Sequence, residues 1–144
     1  MSYFDNNATT PAYPSVVQAL TAAAQEDWQN PSSPYRSASR TKAKLSNARM
    51  EWADTLGVDS SHIVFSSGAT EANNWVIASA AQNHASDSRI MISSLEHPSV
   101  EEPARFWFKD RVDLMPNHSA GTVCLDSLIQ KLDQDRDPVL LCMM

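Results

Sequence analysis

The feature that most constrains the fold of this chain is the change of periodicity on either side of Gly68. An apolar run, Ile63-Val64-Phe65, follows a polar turn and predicts a short strand. Small residues come next, Ser66-Ser67-Gly68, and from Ala69 onward Ala, Glu, Trp, Val, Ile and Ala recur at helical spacing. A strand therefore turns sharply into a helix start. Such a junction leaves several backbone N–H groups unpaired at the positive end of a helix dipole, an arrangement that attracts phosphate. Thr70 can add a hydroxyl donor to the same anion. The same turn also fits a capped helix start with no ligand, so the rest of the chain has to decide.

Strand and helix signals alternate along that rest. Pro14 to Trp28 predicts a helix with Val17, Leu20, Ala24 and Trp28 on one face. Gln29 to Tyr35 is a Pro/Ser-rich loop, and a longer helix spans Ser37 to Leu56, with Leu45, Ala48, Trp52 and Leu56 on one face and Gly57 as its stop. Helices are expected over Ala69–Gln82, Pro98–Lys109 and Leu125–Leu132, and strands over Arg89–Ser93 and Val112–Met115. The wholly apolar run Val139–Met144 suits a strand buried on both faces. The order predicts an α/β three-layer domain with a mainly parallel sheet flanked by helices. A buried strand ordinarily leads into a loop and a covering helix, so Met144 is expected to cut through a domain.

Composition narrows the function. A net charge of −6 disfavours a nucleic-acid or anionic-membrane surface. Two cysteines, Cys124 and Cys142, cannot form a disulfide framework and fit a reducing, cytoplasmic setting. The N-terminus has neither the basic start nor the apolar core of a signal peptide. His62, His84 and His118 sit in polar turns without metal-ligand spacing, and no metal is expected. Lys42, Lys44, Lys109 and Lys131 are expected to be surface charges, Cys142 a buried core thiol, and the four tryptophans packing residues. Ser66–Glu71 lacks the Gly-x-x-x-x-Gly-Lys pattern of a nucleotide-binding P-loop.

Three polar patches fall where an α/β sheet holds a ligand: Ser66–Glu71, the Ser93-Ser94-Leu95-Glu96-His97-Pro98 junction, and the run Asp5–Pro11. Together they suggest a site for a phosphorylated cofactor with a planar group beside His97. DNNATTP at Asp5–Pro11, NPSS at Asn30–Ser33, SSGATEANN at Ser66–Asn74 and EHPSV at Glu96–Val100 resemble the cysteine desulfurases, class V aminotransferase-like enzymes of pyridoxal 5'-phosphate. The four motifs occur in the family's order. Gln29 and Pro34-Tyr35 depart from the family's usual Gly before NPSS and His after it.

The resemblance implies a truncated large domain of the PLP-transferase type over residues 14–144, preceded by an N-terminal segment, residues 1–13, on the small-domain side. It implies that Ala69 and Thr70 bind the cofactor phosphate, and that His97 stacks on the pyridine ring and moves protons. Asn7 and Ala8 would lie near the substrate carboxylate, and Asn30 would shape the entrance. The implied reaction takes L-cysteine to L-alanine and leaves the sulfur on an enzyme cysteine as a persulfide, in a homodimer with an unassigned sulfur acceptor. The family's Schiff-base lysine and sulfur-accepting cysteine match no residue here, so the resemblance implies the N-terminal portion of such an enzyme, inactive alone. Selenocysteine lyase is the alternative within the class; a non-catalytic remnant or partner chain is the alternative outside it.

Overall fold

A computed structural model describes residues 2–134 and 138–144. The chain forms two compact units, Met1–Val64 and Phe65–Met144.

The first unit is helical. Helix α1, Pro14–Glu26, opens on a proline whose missing N–H costs nothing in the first turn. Helix α2, Arg36–Leu56, ends where Gly57 takes the left-handed conformation (φ 68°) and lets the Val58 N–H reach back to the Ala53 carbonyl. The loop between them is tied to α2 by a Lys44–Asp27 ion pair at 2.6 Å and by a hydrogen bond from the Thr41 hydroxyl to Gln29 Oε1. A single 3-10 turn, Ser60–His62, follows.

The apolar faces of these helices stay largely exposed, and the expected packing of Trp28 and Trp52 is not seen. No residue of α1 is buried, and Leu20 and Trp28 are 70% and 73% exposed. On α2 the buried residues are Ala38 and Ala53, while Leu45, Trp52 and Leu56 are exposed. Periodicity had correctly grouped residues on one side of each helix, but grouping does not supply a surface to pack against. Trp75, in the second unit, is likewise exposed, whereas Trp107 packs against a core cluster of the described residues.

The expected strand at Ile63–Phe65 also fails to form a ladder. Ile63 is extended (φ −91°, ψ 118°), and its carbonyl accepts from Arg49 Nε at 3.1 Å, but the segment pairs with no described strand. Side-chain propensity extended the backbone; only a partner edge makes it a strand.

The second unit carries the sheet. Helix α3, Ala69–Asn83, leads through a turn to strand β1, Ile90–Ile92; then come α4, Pro98–Phe108, β2, Val112–Leu114, α5, Leu125–Gln134, and β3, Leu140–Cys142. The order is β2-β1-β3, all parallel, with Ile90 beside Val112 on one side and Leu140 on the other. Being central, β1 is fully buried, and its alternation feeds two clusters. Ile90 and Ile92 join Ile77 of α3 and Ala104 and Phe108 of α4. Met91 joins Met115 and Leu128 of α5. Helices thus cover both faces, the expected three-layer α/β arrangement.

Strand β3 is the exception. It was expected to be buried on both faces, yet Leu141 is 40% exposed. Among the described residues it has a ladder partner on one side only, and one face of it lacks the cover that β1 receives from both helix layers.

Candidate active site at the α3 and α4 N-termini

In the second unit, α3 and α4 both begin at polar junctions. Gly68 caps α3 without a side-chain acceptor, so the first amides of the helix keep their hydrogens for an outside partner. Glu71, in the first turn, takes the Ser67 N–H at 2.6 Å, and that bond holds its carboxyl below the usual carboxylate range. The junction is therefore braced from one side by a carboxylate while Thr70 faces a cavity.

That cavity, of about 540 Å³, is lined by Thr70, Asn74, His97, Pro98, Ser99, Glu102, Pro103 and Phe106. His97 stands at the start of α4 and caps it: its Nδ1 accepts the Ser99 N–H at 3.1 Å and lies 2.9 Å from Ser99 Oγ. The capping role that any histidine before Pro98 could play is thus real. It also leaves Nε2 unengaged by this cap. Asn73 of α3 donates to Ser99 Oγ at 3.0 Å, joining the two helix starts.

Two of the residues picked out by sequence, Thr70 and His97, therefore line one cavity, and Ala69 is the first residue of α3 beside it. The donor set suits a phosphorylated aromatic cofactor: uncapped helix amides and a hydroxyl for the anion, and an imidazole for the ring. Pyridoxal 5'-phosphate fits that chemistry.

Asn7, Ala8 and Asn30 belong to the first unit. The Ala8 N–H bonds the Asp5 carbonyl at 3.1 Å in an exposed turn, and Asn30 Oδ1 accepts the Ser32 N–H at 2.9 Å in another.

Sequence reasoning missed Asn73, Ser99, Glu102 and Phe106. It also missed that Glu96 Oε1 is buried without a hydrogen-bond partner among the described residues. Burial, with the Glu96 charge adding to it, pushes the Cys142 thiol up. His62, His84 and His118 are exposed, and no metal-binding cluster occurs among the described residues. No described helix is long and apolar enough to cross a membrane.

The aminotransferase class-V family model matches residues 2–144. Selenocysteine lyase of Homo sapiens is 36% identical over 128 residues, covering 76% of this chain and 29% of that protein. Cysteine desulfurase IscS of Methanosarcina thermophila is 35% identical over 137 residues, 92% of this chain and 34% of that protein. The chain thus spans roughly a third of the length of these relatives. A solved NifS-like protein superimposes with a TM-score of 0.85 at 32% identity, over 99% of this chain and 39% of that one. This chain belongs to the class-V aminotransferase family.

Proposed function

We propose that these residues form the N-terminal part of a pyridoxal 5'-phosphate enzyme that converts L-cysteine to L-alanine and passes the sulfur to an enzyme cysteine as a persulfide. The observation that carries this reading is the cavity shared by Thr70 and His97, in a chain similar to a protein named cysteine desulfurase. Ala69 and Thr70 hold the phosphate through backbone N–H groups and the Thr70 hydroxyl. His97 stacks on the ring and moves protons to and from the substrate. Asn7 and Ala8 lie near the substrate carboxylate, and Asn30 shapes the entrance. When bound, the cofactor supplies an electron sink; these residues supply anchoring, orientation and proton transfer.

The activity belongs, in this reading, to a full-length homodimer in the cytoplasm that also contributes the anchoring lysine and the sulfur-accepting cysteine. The 144 residues alone are inactive. Residues 1–13 form the N-terminal active-site segment and 14–144 the first part of the cofactor-binding domain. The sulfur serves iron–sulfur cluster or thio-cofactor synthesis.

A second reading, selenocysteine lyase, is favoured by the similarity to the human protein of that name. One experiment separates them. The full-length protein is loaded with pyridoxal 5'-phosphate and given L-cysteine or L-selenocysteine under reductant, with alanine quantified. Alanine from L-cysteine supports the first reading, alanine from L-selenocysteine alone supports the second, and alanine from neither overturns both. Thr70→Ala is expected to weaken cofactor retention about tenfold, the loss of one charge-assisted hydrogen bond.

A further inference from the structure

We propose that Ser99 and Asn73 are positioning residues that hold the His97 imidazole in the tautomer with its hydrogen on Nε2. The bearing of this tautomer on catalysis rests on the role given to His97 above; the tautomer itself does not.

The Ser99 backbone N–H lies 3.1 Å from Nδ1, and a backbone amide can only donate. A hydrogen on Nδ1 would set two N–H groups against each other, so Nδ1 presents its lone pair. The Ser99 hydroxyl sits 2.9 Å from the same nitrogen and 3.0 Å from Asn73 Nδ2. An amide N–H donated to the hydroxyl oxygen occupies one of its lone pairs and turns the hydroxyl hydrogen toward Nδ1. The chain of donors therefore runs from Asn73 to Ser99 to His97, in one direction. Ser99 is only 9% exposed, so water competes poorly for these bonds.

Asn73 comes from α3, the helix whose first turn carries Thr70, whereas Ser99 and His97 belong to the start of α4. The helix that offers amides to an anion thus also fixes the imidazole beside it. What remains available on the ring is the Nε2 hydrogen, on a residue that lines the cavity.

The test is nitrogen NMR of the full-length protein labelled in its histidine rings, in the absence of cofactor and at a pH where the ring is neutral. His97 is expected to show a protonated Nε2 and a bare Nδ1. Asn73→Asp keeps the side chain's size but can only accept, so it draws the Ser99 hydroxyl hydrogen away from Nδ1. The ratio of Nε2–H to Nδ1–H is expected to fall about fivefold, the worth of one hydrogen bond. Ser99→Ala is expected to shift the ratio in the same direction and Ser99→Thr to restore it, with far-UV circular dichroism confirming that each variant is folded. A role confined to packing would leave Asn73→Asp at the wild-type ratio. That result, or an Nδ1–H ring in the unaltered protein, overturns the proposal. A fully active His97→Ala enzyme would instead overturn the catalytic role of His97 and leave the tautomer assignment standing.

Discussion

Lys109 is the one residue other than glycine with a positive φ among the described residues, at φ 55°, ψ −116°. It follows α4 directly, and its conformation is that of the first central residue in a type II′ turn, a position dominated by glycine. A β-carbon is crowded there, so Lys109→Gly is expected to raise the stability by about 1 kcal/mol despite the added freedom of the unfolded chain. Urea unfolding of the two forms checks it; a loss of stability would mean that the lysine chain packs usefully. The two cysteines differ just as sharply. Cys124 sits with its sulfur 3.1 Å from the Ser127 hydroxyl, and that bond draws its thiol below the usual range. Burial, with the Glu96 charge behind it, pushes the Cys142 thiol up. Since the thiolate is the nucleophile, iodoacetamide at neutral pH is expected to label Cys124 about tenfold faster than Cys142, as mass spectrometry of timed samples would show. Equal rates would mean that access rather than ionisation governs both.

Among the elements, the signals written in backbone chemistry were legible and those needing a partner were not. Pro14 and Pro98 mark the first residues of α1 and α4, and Gly57 marks the end of α2, because each acts through its own dihedral preference or missing donor. Ile63–Phe65 read as a strand and lacks a ladder, since pairing is a property of two segments. The site divides along the same line. Thr70 and His97 were visible because each sits at a strand-like run turning into a helix. The bond between Asn73 and Ser99 was not, because it spans 26 positions and exists only once α3 lies on α4. The same applies to the ion pair that fastens β2 to the start of β1. Arg89 grips Asp113 with two bonds, at 2.5 and 2.7 Å, and this hydrogen bonding holds the Asp113 carboxyl below its ordinary range against an opposing burial effect. A carboxyl lowered in the folded state contributes stability above its unfolded value, and that contribution is lost as the pH falls through its folded value. Asp113→Asn is therefore expected to cost about 1 kcal/mol at pH 7, a modest figure because Arg89 is 36% exposed and screened by solvent. The cost should shrink under acid, below the ordinary carboxylate range of about 4. A cost unchanged between pH 7 and pH 3 would assign the effect to shape rather than charge.

For the whole molecule, the uneven distribution of burial sets the expected hierarchy of stability. In the second unit, three strands and three helices enclose two apolar clusters, and β1 supplies side chains to both. Each of its residues is at most 2% exposed. In the first unit, α1 buries nothing, and α2 buries only two alanines. A helix of 13 residues is marginal in water without packing, because its nucleation cost is repaid mainly by a buried face. Local opening should therefore be cheap in α1 and costly in β1. Native-state hydrogen exchange on this 144-residue chain is expected to show the α1 amides exchanging first and those of Ile90–Ile92 last. The exposed apolar side of α1, with Val16, Val17 and Leu20, makes the measurement sensitive to concentration. Protection that rises in α1 with concentration, while β1 stays constant, would show that α1 becomes ordered by association. Protection of α1 equal to that of β1 in dilute solution would defeat the argument, because it would require the two units to open as one cooperative body.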